Sequence, residues 1–249
     1  MSVQIQFIGS GDAFGSGGRF QSCFLLTDSR GRIAIDFGAT SLIGLQRQGI
    51  HPASLDLIIV SHLHGDHFSG LPFLLLYLQK QPQSPTPLIL AGPPGFVTAL
   101  KKLFLAMYPH SWQDEWSFPL QLIEIEPKQP VTLAGRTITT VEVAHAEGIG
   151  ISTGIRVACD AKIIAYSGDT SWTEELVQLA KDSDLFICEC NFLSENGSSS
   201  HLDYATLKKN VSRLHSRRLI LTHLGDDALQ HREHFQHEIA EDNTIITLQ

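Results

Sequence analysis

Residues 61–67 read Ser-His-Leu-His-Gly-Asp-His. Four side chains able to bind a metal, His62, His64, Asp66 and His67, fall within six positions. They follow directly on the apolar run 57–60 and precede a helical spacing that begins at Phe68. Histidine and aspartate are costly to bury unpaired, and a cation compensates such a cluster where packing cannot. Gly65 would let the backbone turn sharply, so that His62 and His64 face one ion while Asp66 and His67 face another. The plain alternative is a polar loop capping the next helix through Asp66. Three more ligand-type residues end apolar runs: His145 after 138–143, Asp169 after 163–166 and His223 after 219–222. Taken singly, His145 or His223 reads as an ordinary strand-end histidine.

The elements that must position these residues are short. Runs rich in Val, Ile and Leu at 3–8, 23–26, 33–36, 57–60, 88–90, 120–125, 138–143, 154–158, 163–166, 185–188, 219–222 and 244–248 predict strands. Helical apolar spacing predicts helices over 40–48, 68–78, 95–108, 173–180, 204–214 and 228–239. Asp203 suits the N-cap of the helix at 204, and Ser171 or Thr170 that of the helix at 173. Strands dominate early and helices separate them later, which implies two mixed sheets face to face with helices outside. The stretch 79–87, rich in Gln and Pro, reads as a surface loop. With no repeat and no boundary in composition, residues 1–249 are expected to form a single domain.

The cluster H-x-H-x-D-H after a strand resembles the signature of the metallo-β-lactamase superfamily, and His145, Asp169 and His223 follow in that family's order. The resemblance implies the four-layer αββα sandwich. It also implies two divalent metal ions, one held by His62, His64 and His145, the other by Asp66, His67 and His223, with Asp169 bridging them. Zinc suits five histidines plus carboxylates, and manganese or iron fits the same set.

The opening Phe7-Ile8-Gly9-Ser10-Gly11-Asp12-Ala13-Phe14 and Ile35-Asp36-Phe37-Gly38 are similar to ribonuclease Z and its phosphodiesterase relatives, as are Glu189 and His201. By that resemblance His201 protonates the leaving oxygen, Asp66 and His201 are the catalytic residues, and Asp36 orients a ligand histidine. The chain departs from bacterial ribonuclease Z between His145 and Asp169, where a long tRNA-binding arm is replaced by a hairpin at most. The expected activity is that of a dinuclear hydrolase, a phosphodiesterase whose nucleophile is a metal-bridging hydroxide. Hydrolysis of a lactone, thioester or sulfate ester, or a non-hydrolytic redox or biosynthetic role, are the rival readings. The expected partner is a small phosphodiester or other ester, not tRNA, and the resemblance implies a homodimer.

Composition narrows the field. Of 249 residues, 43% are hydrophobic and 18% charged, with a mean hydropathy of +0.02, which excludes a disordered or fibrous chain. The formal charge of -8 lacks the basic balance of a phosphate-tracking surface. No apolar stretch is long enough for a membrane span and no signal peptide is apparent, so a cytoplasmic location is expected. Four cysteines in this length are no disulfide framework. Cys188 and Cys190 are expected to be buried thiols on opposite faces of a strand. Gly9-Ser10-Gly11 reads as a turn rather than a nucleotide loop. His231, His234 and His237 read as the surface face of the last helix. The aromatic residues between Tyr108 and Trp116 read as core, dimer contact or a pocket wall.

Overall fold

The computed structural model describes residues 2–81, 87–113, 115–146, 148, 150–195 and 200–249. Most of the stretch 79–87 read as a surface loop therefore lies outside the described residues. The first half contains β1 (Val3–Gly9), β2 (Cys23–Asp28), β3 (Gly31–Ile35), α1 (Ser41–Arg47), β4 (Leu55–Ile59), α2 (Gly65–Phe68), α3 (Leu71–Gln79), β5 (Leu88–Gly92), α4 (Phe96–Met107) and β6 (Leu120–Glu124). The second contains β7 (Val131–Leu133), β8 (Arg136–Glu142), β9 (Thr153–Cys159), β10 (Lys162–Tyr166), α5 (Glu175–Ala180), β11 (Leu185–Glu189), α6 (Tyr204–Asn210), β12 (Leu219–Thr222), α7 (Asp226–Gln230), β13 (Glu238–Ile239) and β14 (Ile245–Leu248). Among the described residues these strands form two seven-stranded mixed sheets, ordered β14-β1-β2-β3-β4-β5-β6 and β13-β12-β11-β10-β9-β8-β7.

Three apolar clusters make four layers. Ile5, Phe7, Phe24 and Ile59 of the first sheet meet Val157, Tyr166 and Ile187 of the second between the sheets. Ile8, Leu25, Ile58 and Val60 turn to the other face of the first sheet, under Leu45, Leu74, Leu75 and Phe104 of its helices. Phe186 and Leu221 likewise pack under Leu176, Leu179 and Leu207. Strand β4 ends in the apolar run Leu57–Ile59, fully buried because both faces of the sheet are covered there, whereas β1 starts by alternating apolar residues with glutamine. This is the expected αββα sandwich. Among the described residues no helix is long and apolar enough to cross a membrane.

Several local expectations change. The helix expected over 228–239 stops at Gln230, and a single 3-10 turn at Arg232–His234 leads into β13. That segment is mostly polar, with Phe235 turned onto Tyr204, and pairing of Glu238 and Ile239 with Ile220 and Leu221 captures it. The run from Phe68 is split in two, since Pro72 near the start of α3 has no N–H to give to a preceding turn. Gly70, at the break, sits where a Cβ would lie 2.2 Å from the Gly38 carbonyl oxygen. Asp203 caps α6 as expected, its Oδ1 accepting from the Thr206 N–H at 2.7 Å. Neither Thr170 nor Ser171 caps α5: Glu174 stands at the N-cap position, and the Thr170 hydroxyl accepts from the Ala144 N–H at 3.1 Å and donates to the Ser171 carbonyl at 2.6 Å. Cys188 and Cys190 are buried but share one face with Phe186, as residues two apart on an extended chain must. Tyr108, Trp112 and Trp116 gather around Phe104 against the helix-side core of the first sheet. The Gly9-Ser10-Gly11 segment is not the expected turn: Gly9 ends β1, Gly11 bridges Gln21 and Leu224, and the two glycines are needed because they press on the backbone of Gln21 and Phe20.

Candidate metal centre and active site

The functional side chains stand at one edge of the sandwich, because the strands that precede them run the same way there. Strands β3, β4 and β5 are parallel, as are β10, β11 and β12, and β8 shares the direction of β10 through the antiparallel β9. Their C-terminal ends release Asp36, His62, His145, Asp169, Glu189 and His223 toward a common space. Thr153 ties the sheets there, its N–H and Oγ1 both donating to the Ser61 carbonyl at 3.0 and 2.8 Å. Three positions at this edge have left-handed backbone: Asp36 (φ 60), Gly168 (φ 62) and His223 (φ 61). At Gly168 the requirement is doubled, since a Cβ would lie 2.5 Å from the Thr153 carbonyl oxygen. Such strain persists only where the surroundings over-determine it.

Gly65 does not make the turn expected of it. It has no positive φ and begins α2, while extended backbone at His64 (φ -79, ψ 150) redirects the chain. Asp66 does not cap that helix, since His64 occupies the N-cap position and no side-chain cap bond forms.

The seven expected ligands and His201 do come together. The ligand atoms of His62, His64 and His145 lie within 4.8 Å of one another, and so do those of Asp66, His67, Asp169 and His223. In the first group His64 Nδ1 is 3.2 Å from His62 Nε2 and 3.0 Å from His145 Nε2. The outer nitrogens of the two partners are already committed. His145 Nδ1 lies 2.5 Å from the Ser200 carbonyl oxygen, so it carries the proton and leaves Nε2 bare. Ser61 Oγ donates to Asp36 Oδ2 at 2.9 Å, so the His62 Nδ1 proton goes to Ser61 Oγ at 3.0 Å, and His62 Nε2 is bare as well. Two lone pairs and His64 Nδ1 thus converge with no acid among them. A single proton on His64 can satisfy only one of the two.

The second group is anionic. Asp66 Oδ2 lies 3.0 Å from His67 Nε2 and 3.2 Å from His223 Nε2, and Asp169 Oδ2 lies 3.2 Å from both. Asp169 also faces the first group, at 3.8 Å from His62 Nε2. Among the described residues, His67 Nε2 and Asp169 Oδ1 are buried with no hydrogen-bond partner, His67 Nε2 having only its ion-pair contacts with the two carboxylates. Nitrogen and oxygen ligands about 2.0–2.1 Å from a tetrahedral ion stand about 3.3 Å apart, so these separations fit the edges of such a shell. The donor set fits divalent cations.

Charge follows position. Burial pushes His62 well below its ordinary value, and burial also lowers His145 to about 4 against the pull of Asp169. In the second group burial opposes the shift but loses. Asp169, Asp66 and Asp36 hold His67 well above the usual value, and Asp169 with Asp66 raises His223 to about 9. Burial would raise the Asp66 carboxyl too, yet His67 and His223 hold it below the carboxylate range.

Around the cluster lies a supporting ring. Asp36, fully buried, accepts from Ser61 N at 2.7 Å, from Ser61 Oγ and from His67 Nδ1 at 2.7 Å. Glu189, also fully buried, accepts from Thr170 N and lies 3.1 Å from His201 Nδ1. Burial raises Glu189, and its contact with Glu189 raises His201 despite burial. Sequence reading missed Ser61, Thr170, Asn191 and the Ser200 carbonyl. Asn191, whose Nδ2 donates to the His223 carbonyl at 3.0 Å, carries no signal in the chain beyond its closeness to Glu189.

The profile of the family described as "Anti-Pycsar protein Apyc1" matches residues 3–244. A Mycobacterium tuberculosis relative, "Uncharacterized protein Rv1339", is 31% identical over 230 residues, covering 90% of this chain and 81% of its own. The metallo-beta-lactamase fold protein YhfI from Bacillus subtilis superposes with a TM-score of 0.81 at 22% identity over 99% of each chain. The short form of human tRNase Z superposes with a TM-score of 0.75 at 21% identity over 98% of each. The resemblances read from the motifs are borne out at the level of fold. The relatives and the His/Asp cluster together point to a metallo-hydrolase that binds divalent metal.

Proposed function

The chain belongs to the Anti-Pycsar protein Apyc1 family, and on that premise we propose that it is a dinuclear metal-dependent phosphodiesterase acting on a small substrate. The observation that carries the reading is the pairing of two adjacent ligand groups with a Glu189–His201 couple beside them. His62, His64 and His145 would hold one ion, Asp66, His67 and His223 the other, and Asp169 would serve both. Bound there, two divalent ions make a water nucleophilic near neutral pH and neutralise charge on the phosphoryl oxygens.

The rest falls to the chain. His201 Nδ1 is also 4.0 Å from Asp169 Oδ2, which places the ring over the junction of the two groups. It donates a proton to the departing alkoxide, a poor leaving group that needs an acid. Glu189 orients that ring and favours its charged form. Asp36 fixes the proton of His67 on Nδ1 and keeps Nε2 turned inward.

The test is turnover by the zinc- or manganese-loaded chain on a panel of cyclic nucleotides, linear phosphodiesters, RNA, a thioester and a lactone. Phosphodiester cleavage that chelation abolishes and metal restores is expected. Hydrolysis of the thioester or lactone with every phosphodiester left intact would overturn the proposal.

A further inference from the structure

We propose that Asp242 is a positioning residue for the ligand His223: it fixes Ser10, and the Ser10 carbonyl fixes the His223 backbone. The inference rests on the reading of two adjacent ion sites. It gives the anionic one, formed by Asp66, His67, Asp169 and His223, a support that lies outside the cluster.

His223 is held differently from its neighbours. His62, His67 and His145 each have one ring nitrogen fixed by an oxygen: Ser61 Oγ at 3.0 Å, Asp36 Oδ2 at 2.7 Å and the Ser200 carbonyl at 2.5 Å. Among the described residues His223 Nδ1 has only the Asn191 amide nitrogen, at 3.4 Å. Its main chain is clamped instead. The His223 N–H donates to the Ser10 carbonyl at 3.1 Å, and the His223 carbonyl accepts from Asn191 Nδ2 at 3.0 Å. Thr222 Oγ1 donates to the same Ser10 carbonyl at 3.2 Å. The left-handed backbone at His223 (φ 61) needs such a clamp, because few residues other than glycine adopt it unaided. A metal–nitrogen distance tolerates only about 0.2 Å. A ligand on strained backbone is therefore placed only as well as the carbonyl that holds it.

Ser10, fully buried, answers in turn to Asp242. Its N–H and its Oγ both donate to Asp242 Oδ1, at 2.9 and 2.8 Å, and the Phe20 N–H donates to Oδ2 at 2.8 Å. Bonds to a carboxylate are the strong kind. Asp242 lies in the strap 240–244, which leaves β13 in the second sheet and enters β14 in the first. That strap has its own attachments. The Ala240 N–H donates to the Leu221 carbonyl at 2.7 Å, the Asn243 N–H to the Phe7 carbonyl at 2.6 Å, and the Phe7 N–H to the Thr244 carbonyl at 3.0 Å. Arg19 adds bonds to the Ala240 carbonyl at 2.6 Å and to Glu241 at 3.0 Å. The Asp242 carboxylate is thus not what holds the strap, and its bonds act on Ser10 and Phe20. Gly11 bridges Leu224, so the chain on both sides of the Ser10–His223 bond moves with Ser10.

Cobalt(II) titration of the metal-free chain, followed by visible absorption in competition with a chelator, reads each ion separately. His223→Ala marks the step that belongs to the anionic group. Asp242→Ala should weaken that step about tenfold and leave the other within about twofold. Asp242→Asn should restore most of the affinity, because its amide oxygen can still take both Ser10 donors and only the Phe20 N–H loses its acceptor. Ser10→Ala removes one of the two bonds and should shift the same step in the same direction by less, which keeps the test alive if Asp242→Ala does not fold. Glu241→Gln cuts the ion pairs of the same strap with Arg19 and Arg232 without touching Ser10, and should leave both steps within about twofold. Equal weakening of both steps by Asp242→Ala, no weakening of either, or a shift by Glu241→Gln as large as that by Asp242→Ala would overturn the inference. A wild type that takes one ion only would overturn it together with the two-ion reading. If no phosphodiester turns over but the split between the steps persists, the phosphodiesterase reading fails and the role of Asp242 stands.

Discussion

Replacing Asp36 by Asn removes one negative charge and almost no volume. The left-handed backbone at this position (φ 60) is one that Asn adopts readily, so the main chain is not disturbed. The hydrogen bonds are disturbed. Three donors, Ser61 N, Ser61 Oγ and His67 Nδ1, point at two carboxylate oxygens that are fully buried. An amide offers one oxygen and one NH2, so in either orientation a donor faces a donor. With NH2 toward His67, the imidazole must move its proton to Nε2, the atom that faces Asp66 and Asp169 and would bind metal. Loss of a partner that orients a ligand costs about 10–100-fold in metal affinity, or about 1.4–2.7 kcal/mol. With NH2 turned away, the Ser61 backbone N–H loses its buried acceptor, and the fold is weakened by about 1.5–3 kcal/mol instead. Competition with a chromophoric chelator measures the first effect and urea unfolding of the metal-free chain the second. Asp36→Asn with metal affinity within twofold and unfolding free energy unchanged would refute the assignment of Asp36 to His67.

Elemental analysis of the fully loaded wild type should give two ions per chain, and Asp169→Asn should weaken both, because one carboxylate faces both ligand groups; one ion per chain would sink the dinuclear reading. His201→Ala should keep metal and fold but lower kcat by about 10²–10⁴-fold on an alkyl phosphodiester, with the loss shrinking sharply on a p-nitrophenyl ester. Equal losses on the two would retire the acid. A tRNA precursor should be a poor substrate compared with a small diester, and efficient salt-sensitive 3′ cleavage would contradict this. Metal binding should release protons, since His223 in the metal-free chain is raised to about 9 by Asp169 and Asp66 against burial. Calorimetric heats at neutral pH should therefore depend on the buffer, and buffer-independent heats would count against it. The same raised value has the opposite sign for the metal-free fold: His223 supports it fully below about pH 6.5, and that support is lost as pH rises toward 9. The melting temperature of the metal-free chain should fall across that window.

The His/Asp cluster was legible because His62, His145, Asp169 and His223 follow β-type runs, and because His62, His64, Asp66 and His67 are neighbours in sequence. Apolar runs at strand length, separated by helical spacing, were enough to indicate two sheets with helices outside. Boundaries were less legible where local pattern and pairing disagree. His231, His234 and His237 have helical spacing, but an open edge beside β12 offers Glu238 and Ile239 backbone partners that a polar helix cannot match. The motif's own turn was misjudged in a similar way, since extended backbone at His64 does what Gly65 seemed placed to do.

By itself the sequence determined which residue types stand at strand ends and in what order, since hydrophobic periodicity and side-chain chemistry are local properties. Only the tertiary structure decided who faces whom. Asp36 and His67 are 31 positions apart, Glu189 and His201 are 12 apart and in direct contact, and His223 meets Asp66 across 157 positions. Those meetings depend on strand order and direction, and on a tautomer set by a serine hydroxyl and a loop carbonyl. Such information resides in pairing across the sandwich, where the energy of burying polar groups is settled jointly by all of them.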